Sequence, residues 1–128
     1  MPMRIVTTST APQAVAHYSQ AIEQDGLLFL SGQIPLDPET GQMVPGGIEE
    51  QADRVLRNVS NLLIAGASDM NHVLKTTIFL TDLSHFKTVN EIYAKHFGAH
   101  KPARTTIQVA ALPAGAMIEI EAVARLRF

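Results

Sequence analysis

Residues 101–124 read KPARTTIQVAALPAGAMIEIEAVA and contain two strand patterns around a short turn. Strand side chains alternate between two faces, so Arg104 and Thr106 share one face of the first strand. In the second strand, residues 117–126, every second residue from Ile118 is apolar, and Glu119 points the opposite way. The turn residues LPAG at 112–115 predict that the two strands pair as a hairpin. We therefore expect Arg104 and Glu119 on the polar faces of paired strands, at a separation that the sequence leaves open.

An arginine and a glutamate placed in this way have a chemical use. A guanidinium group is a planar fork that binds a carboxylate through two parallel hydrogen bonds. A nearby carboxylate can orient and deprotonate a water molecule. The simpler alternative is a structural ion pair on a strand face, and residue types alone favour that alternative, because structural ion pairs outnumber functional ones.

The rest of the chain alternates strands with two helices. Further strands are predicted at residues 4–7, 20–23, 27–31 and 73–81, and helices at residues 48–65 and 84–97. Asp25-Gly26 predicts a hairpin between the second and third strands. Gly66 fits the position just past the end of the first helix, and Gly98 ends the second. This order predicts an α+β fold, a mixed and mainly antiparallel sheet with both helices on one face.

The second face of this sheet needs a cover, because its strands also carry apolar residues. An example is the run LLFL at 27–30, which is apolar on both faces and predicts a central, buried strand. Left exposed, that face would form a large apolar patch. Packing of sheets in an oligomer would cover it.

The composition narrows the class of protein. A chain of 128 residues that is 46% hydrophobic predicts a single domain, residues 1–128, with a packed core. Cysteine is absent, which excludes disulfides and thiolate chemistry. The net charge of −2 gives no electrostatic footprint for nucleic acid or an anionic membrane. With no membrane-length apolar run and no signal peptide pattern, a cytoplasmic protein is expected.

The stretch PARTTIQVAALPAGAMIEIEAVA resembles the C-terminal signature of the RidA/YjgF family of 2-iminoacid (enamine/imine) deaminases. Other segments match that family in the same order: YSQA at 18–21, LSGQI at 30–34, DPETG at 37–41, Gln51 with Asn58, KTTIFL at 75–80 and VNEIY at 89–93. The resemblance covers nearly the whole chain. It implies a chorismate-mutase-like fold and a homotrimer with a central barrel, in which the sheets line the centre and the helices lie outside.

The resemblance also implies residue roles. Arg104 would bind the substrate carboxylate, Glu119 would activate the attacking water, and the backbone carbonyl of Thr106 would accept a hydrogen bond from the imine nitrogen. Four further residues would line a pocket between neighbouring chains: Tyr18, Ser31, Gly32 and Asn90. The products would be a 2-keto acid and ammonia, and no cofactor or metal is implied. Many members carry cysteine where this chain has Thr106, a change tolerable if only the backbone acts.

One departure from the family pattern stands beside the expected pocket. Ala16-His17 replaces the usual Gly-Pro before Tyr18, which removes a permissive glycine and a proline of fixed φ. If this loop borders the site, substrate preference is expected to move with its shape. The change also keeps open a second hypothesis, a trimer that binds a small carboxylate or keto acid without turnover. A third hypothesis, an RNA-directed translation inhibitor, is disfavoured by the acidic pI and by the lack of a basic, aromatic platform.

Three other features give weaker signals. His96 and His100 have the i, i+4 spacing of a helical metal site, but Gly98 lies between them and no carboxylate completes a ligand set. Ser31 has no evident histidine base, so a serine hydrolase is not supported. Asn58 is a poor helix former inside the first predicted helix, and it fits either a bond to a loop or a surface position.

Overall fold

The computed structural model describes residues 2–128 and shows one six-stranded sheet with two helices on one of its faces. The elements in chain order are β1 Arg4–Val6, β2 Ala21–Gln24, β3 Leu27–Gln33, α1 Ile48–Ala65, β4 Val73–Leu80, α2 Phe86–Phe97, β5 Ala103–Gln108 and β6 Ile118–Arg125. This is the α+β fold that the sequence predicts. No helix within residues 2–128 is long and apolar enough to cross a membrane.

The strands are ordered β1-β2-β3-β6-β4-β5, and only β4 and β5 run parallel. The predicted hairpin between β5 and β6 is therefore wrong, because β4 lies between them. After β4, the chain crosses over through α2 and returns beside β4 in the same direction, as parallel neighbours require. β6 then enters the centre of the sheet, where its apolar residues Ile118, Ile120 and Ala124 are buried.

The first helix begins and ends close to its predicted limits. The backbone N–H of Gly47 donates to Glu50 Oε1 at 2.7 Å, which closes the start of α1. Gly66 is the C-cap itself, with φ −89°, and the left-handed conformation falls one residue later, on Ala67 at φ 68°. The glycine is needed for space rather than for its dihedral angle, because a Cβ atom there would lie 2.5 Å from Cδ2 of Leu28.

The core lies between the sheet and the two helices. It contains Leu56, Leu62 and Leu63 from α1 and Val89 and Tyr93 from α2, all buried against the inner residues of the strands. A 3-10 turn at Leu83–His85 precedes α2, and Asp82 Oδ1 accepts a hydrogen bond from the backbone N–H of Ser84 at 2.9 Å. Asp82 thus caps the turn that leads into the second helix, and α2 begins two residues later than expected.

The opposite face of the sheet is uncovered in the single chain. A row of register partners crosses it, namely Ile5 on β1, Ile22 on β2, Phe29 on β3 and Val123 on β6. Phe29 remains 45% exposed and Ile5 64% exposed. The central position predicted for β3 is confirmed, but only one of its two faces is buried within the chain. We call this row of Ile5, Ile22, Phe29 and Val123 the apolar row.

Candidate active site

Arg104 is held against the second helix by three side chains. Its Nη1 donates a hydrogen bond to Asn90 Oδ1 at 2.9 Å. The centre of its guanidinium group lies 4.9 Å from the centroid of the Tyr93 ring and 5.5 Å from that of Phe86. Within residues 2–128 no carboxylate forms a salt bridge with Arg104. A half-buried cation that is oriented but carries no counter-ion is suited to bind the carboxylate of a ligand.

Tyr93 is held in place by a residue of β4 and by a second aromatic ring on α2. Its hydroxyl shares a buried 2.7 Å hydrogen bond with Thr76 Oγ1 on β4, and its ring packs on Phe97 with centroids 4.5 Å apart. Burial raises the pKa of Tyr93, an effect that the bond to Thr76 partly offsets. The hydroxyl therefore stays neutral, and the ring is a rigid platform for the arginine. Tyr93, Asn90 and Arg104 line a groove of about 400 Å³.

Glu119 lies in a second depression, on the uncovered face of the sheet. The Glu119 carboxylate has room there because residue 32 is a glycine. A Cβ atom on Gly32 would lie 1.9 Å from Glu119 Oε2, so any larger residue would displace the carboxylate. The strand β3 also shifts register between Leu30 and Gln33, and this irregularity presents Ser31 and Gly32 towards Glu119.

The surroundings of Glu119 favour its protonated form. Burial raises the pKa of the Glu119 carboxyl, and the charge of Glu121 on the same strand raises it further. No residue of the described chain donates a hydrogen bond to this carboxylate. A carboxylate whose pKa lies above the ordinary glutamate range is a stronger base once ionised, which suits the activation of water.

The depression around Glu119 is a cleft of about 450 Å³. Tyr18, half exposed, stands on its rim with Ser31 and Gly32. Ser31 Oγ donates to the backbone carbonyl of Ser19 at 2.6 Å, so the hydroxyl serves to hold the loop rather than to act as a nucleophile. Val15 and Ala16 also line the cleft, which confirms that the loop with the unusual Ala16-His17 pair borders it.

Thr106 lies on the edge strand β5, two residues after Arg104. Its Oγ1 is buried and has no hydrogen-bond partner among residues 2–128. The backbone N–H of Val109 donates to Leu80 on the neighbouring strand, and strand residues alternate the side to which their backbone groups point. The carbonyl of Thr106 is therefore directed to the free edge of the sheet, where an incoming group can reach it.

Arg104 and Glu119 lie on opposite faces of the sheet. Arg104 is in register with Thr76, which is buried beneath α2. Glu119 is in register with Phe79, three residues along β4 and hence on the other face. The expectation that the two side chains project from paired strands is wrong, because β4 lies between β5 and β6. One chain holds an arginine half, with Asn90 and Thr106, and a glutamate half, with Tyr18, Ser31 and Gly32.

This fold is found in known proteins. The model of the Endoribonuclease L-PSP family matches residues 8–126. The chain belongs to this family. It is 48% identical over 121 residues to the 2-iminobutanoate/2-iminopropanoate deaminase of Mus musculus, covering 94% of this chain and 90% of that protein. The resemblance to the RidA/YjgF family is thereby confirmed.

Two further proteins are similar to this chain, one compared by sequence and one by structure. The Reactive Intermediate Deaminase A of Arabidopsis thaliana, a chloroplastic protein, is 54% identical over 122 residues, covering 95% of this chain and 65% of that one. The crystal structure of E. coli TdcF with bound serine superposes with a TM-score of 0.91 at 38% identity, covering 95% of this chain and 98% of that one. The α+β architecture is therefore that of its structural relatives.

Sequence reasoning missed two contributors to the half-sites of this L-PSP family member. One is the aromatic platform of Phe86 and Tyr93, which helical periodicity assigns to the inward stripe of α2. That periodicity does not tell a core ring from a ring stacked on an arginine. The other is the effect of Glu121 on Glu119, although their i, i+2 spacing on one strand face signals close like charges.

The two histidines considered for a metal site are directed to different partners. His96 Nε2 lies 2.9 Å from Asp53 Oδ1 on α1, and His100 Nε2 lies 2.7 Å from the backbone carbonyl of Val73. Gly98, with φ 66°, ends α2 between them, as predicted. Among the residues that the structure describes, no cluster of three or more metal-ligating side chains occurs.

Proposed function

We propose that this protein hydrolyses reactive 2-imino acids, and their enamine tautomers, to 2-keto acids and ammonia. The observation that carries the proposal is Arg104, a half-buried cation that is fixed by Asn90 and two rings and has no carboxylate partner in the described chain. Such a group fits the α-carboxylate that every 2-imino acid carries. The named activity of the mouse relative, on 2-iminobutanoate and 2-iminopropanoate, supports this substrate class.

A structural relative supports the same ligand chemistry. The serine bound to E. coli TdcF has an α-carboxylate next to a nitrogen-bearing carbon, as a 2-imino acid does. In this protein the carboxylate would bind the Nη2 and Nε side of Arg104, and the imine nitrogen would donate to the backbone carbonyl of Thr106. The imine carbon would then face Glu119. No cofactor is required, since an imine is already electrophilic and positioning with modest water activation suffices.

The reaction balances with these groups alone. The Glu119 carboxylate accepts a proton from a water molecule while the water oxygen forms a bond to the imine carbon. Protonated Glu119 passes this proton to the nitrogen, which gives a neutral tetrahedral carbinolamine with a hydroxyl and an amine on one carbon. The Glu119 carboxylate then accepts the hydroxyl proton and delivers it to the nitrogen, the C–N bond breaks with its electron pair on nitrogen, and ammonia leaves as the carbonyl of the 2-keto acid forms. The raised pKa of Glu119 suits a group that both takes and returns this proton.

Two chains are needed to complete each site in this proposal, since Arg104 and Glu119 lie on opposite faces of the sheet. We propose a homotrimer with the sheets lining a central barrel and the helices outside. The apolar row on the uncovered face supports this arrangement, because an exposed row of this kind is normally buried by association. The free edge of β5 and the groove at Arg104 would meet the cleft at Glu119 of the neighbouring chain.

The test is a coupled assay. A pyridoxal-phosphate threonine dehydratase generates 2-iminobutanoate, semicarbazide competes for the free imine, and 2-ketobutanoate release is followed with and without this protein. We expect faster release, and we expect Arg104→Ala to abolish the acceleration while the oligomer persists. Normal acceleration by Arg104→Ala would overturn the proposal. Arg57→Ala, which removes an arginine whose side chain is 62% exposed on the outer surface of α1, serves as the matched control.

The binding-only alternative makes a distinct prediction. It is favoured by the replaced Gly-Pro, since the altered loop lines the Glu119 cleft. Under this alternative, calorimetry would detect 2-ketobutanoate binding that Arg104→Ala removes, while the coupled assay stays at its background rate.

The family description keeps an RNA-directed activity as a third candidate. The net charge of −2 disfavours it, and we propose no nucleic-acid or membrane partner and a cytoplasmic location. Binding to single-stranded RNA with an affinity that falls steeply between low and physiological salt would restore it.

A further inference from the structure

The lining of the Glu119 cleft is apolar apart from a few polar groups. Six side chains supply the apolar surface: Pro12, Val15, Ala16, Ile34, Leu36 and Pro113. They come from three separate segments, the loop before β2, the segment after β3 and the turn before β6. Ligand pockets are typically apolar with a small number of polar groups that orient the ligand. The Glu119 cleft has this composition.

Three glutamine side chains that border the cleft donate hydrogen bonds within the chain. Gln20 Nε2 donates to the backbone carbonyl of Pro12 at 2.8 Å, and Gln13 Nε2 donates to that of Thr8 at 2.8 Å. Gln33 Nε2 donates to the backbone carbonyl of Ser31 at 3.1 Å, while its buried Oε1 has no hydrogen-bond partner among residues 2–128. These bonds fix the shape of the walls. An anionic substituent on a ligand would lose its hydration there and lie close to the Glu119 carboxylate.

The loop before β2 provides the variable part of this lining. Val15 is 89% exposed and contributes an isopropyl group to the cleft, and Ala16 stands where the family usually has glycine. The loop is tied down at its base by Gln20, whose Oε1 accepts from the backbone N–H of Thr8 at 2.8 Å. The wall is therefore a supported surface with an apolar rim.

We propose that this apolar lining is the subsite for the side chain of the imine, and that the protein prefers 2-imino acids with branched or long apolar side chains. This inference rests on the proposed function, with the carboxylate at Arg104 and the imine carbon at Glu119. The apolar lining comes from six side chains on three segments, which is more surface than a methyl or ethyl group would contact. Each further methylene that fits an apolar pocket is worth about tenfold in kcat/KM.

The experiment compares imines with matched backbones and different side chains. L-Amino acid oxidases and catalase generate imines from leucine, alanine and aspartate, and semicarbazide competition reports kcat/KM for each. We expect the leucine-derived imine to exceed the alanine-derived imine by about tenfold or more, and the aspartate-derived imine to be the poorest. A higher kcat/KM for the alanine-derived or the aspartate-derived imine would overturn the inference and leave the deaminase function intact.

Two variants locate the subsite. Ala16→Phe places a ring in the cleft, and we expect it to lower the leucine-to-alanine ratio of kcat/KM by about tenfold. His17→Phe adds the same ring one residue further along the loop, outside the cleft lining, and should keep the wild-type ratio. An unchanged ratio in Ala16→Phe would show that the side chain binds elsewhere.

A binding measurement separates this inference from the proposed function. By calorimetry, 4-methyl-2-oxopentanoate should bind wild-type protein about tenfold more tightly than pyruvate does. If no imine is accelerated but this preference is present, the deaminase function fails and the subsite stands. If pyruvate binds equally well or better, the subsite is wrong whatever the catalytic result.

Discussion

The neighbours of Arg104 hold its side chain in position without neutralising its charge. Two aromatic faces attract the guanidinium group, and Asn90 orients it through a neutral oxygen acceptor. A salt bridge would have fixed the same side chain but would have satisfied its charge. Arg57 differs from Arg104 in this respect. It forms a 2.9 Å salt bridge with Asp53 on the surface of α1, so a carboxylate already lies beside its charge.

The raised pKa of Glu119 predicts the pH profile of the reaction. A raised pKa means that the carboxyl keeps its proton to a higher pH than an ordinary glutamate does. Since the ionised form is the base, enzymatic kcat/KM should rise with pH through this pKa and then level off. The acid limb should thus lie above pH 4.5, after subtraction of the uncatalysed hydrolysis.

Glu121→Gln tests the cause of that pKa. Removing the neighbouring negative charge should lower the pKa of Glu119 and move the acid limb of kcat/KM to lower pH. Glu49→Gln, an exposed change in the first turn of α1, should leave the limb in place. A limb that does not move in Glu121→Gln would show that the charge of Glu121 does not act on the group that titrates.

The helix α1 covers the sheet and also supports one wall of the Glu119 cleft. Asn58 is fully buried on this helix, and its Nδ2 donates to the backbone carbonyls of Ile34 at 3.2 Å and Leu36 at 3.0 Å. Both residues line the Glu119 cleft. A polar residue that is a poor helix former thus ties the helix to a wall of the site. Of the two positions that the sequence leaves open for Asn58, the bond to a loop is confirmed and the surface position is wrong.

Asn58→Ala should destabilise the protein by about 2 kcal/mol, because it removes hydrogen bonds to two part-buried carbonyl groups, of which that of Ile34 still accepts from the backbone N–H of Leu36. It should also raise KM, since the cleft wall loses its support. Asn61→Ala is the matched control: Asn61 makes one exposed bond, to the carbonyl of Thr10 at 2.9 Å, and its loss should cost less than about 1 kcal/mol. Denaturant unfolding at one protein concentration measures both. Equal losses in the two variants would contradict this account.

For the whole molecule, the proposed two-chain site predicts that activity depends on assembly. The side chains of the apolar row are only partly buried within the chain, and Phe29 is the largest of them. A charge at this position would oppose burial of the uncovered face without touching either half-site.

Phe29→Glu should therefore convert a species of three times 13.9 kDa into one of 13.9 kDa and abolish deaminase activity, while circular dichroism still reports a folded chain. Light scattering after gel filtration measures the mass. Ile64→Glu, on the outer helical surface where Ile64 is 55% exposed, should remain assembled and active. An active, monomeric Phe29→Glu would refute the composite site.

Local sequence patterns were enough to predict the elements and the family. Periodicity located α1, α2 and the strands to within a few residues, since local apolar patterns reflect which face each element buries. Most of the residues to which the motifs assign roles line one of two depressions, Tyr18, Ser31, Gly32 and Glu119 in the cleft and Asn90 and Arg104 in the groove, and their roles stay predictions. Where local chemistry decides, as at Asp25-Gly26 and Gly98, the predictions are confirmed.

Which strands are neighbours depends on how the whole chain packs, and no local pattern predicts it. Adjacent strands joined by a turn favour a hairpin, yet β6 lies between β3 and β4 and leaves β5 at the edge. That order puts Arg104 and Glu119 on opposite faces, and it depends on the packing of α2 over β4 and β5, which no local pattern encodes. The strand patterns specify which face of each strand is apolar, but the sheet order specifies which charged groups a single chain can bring together.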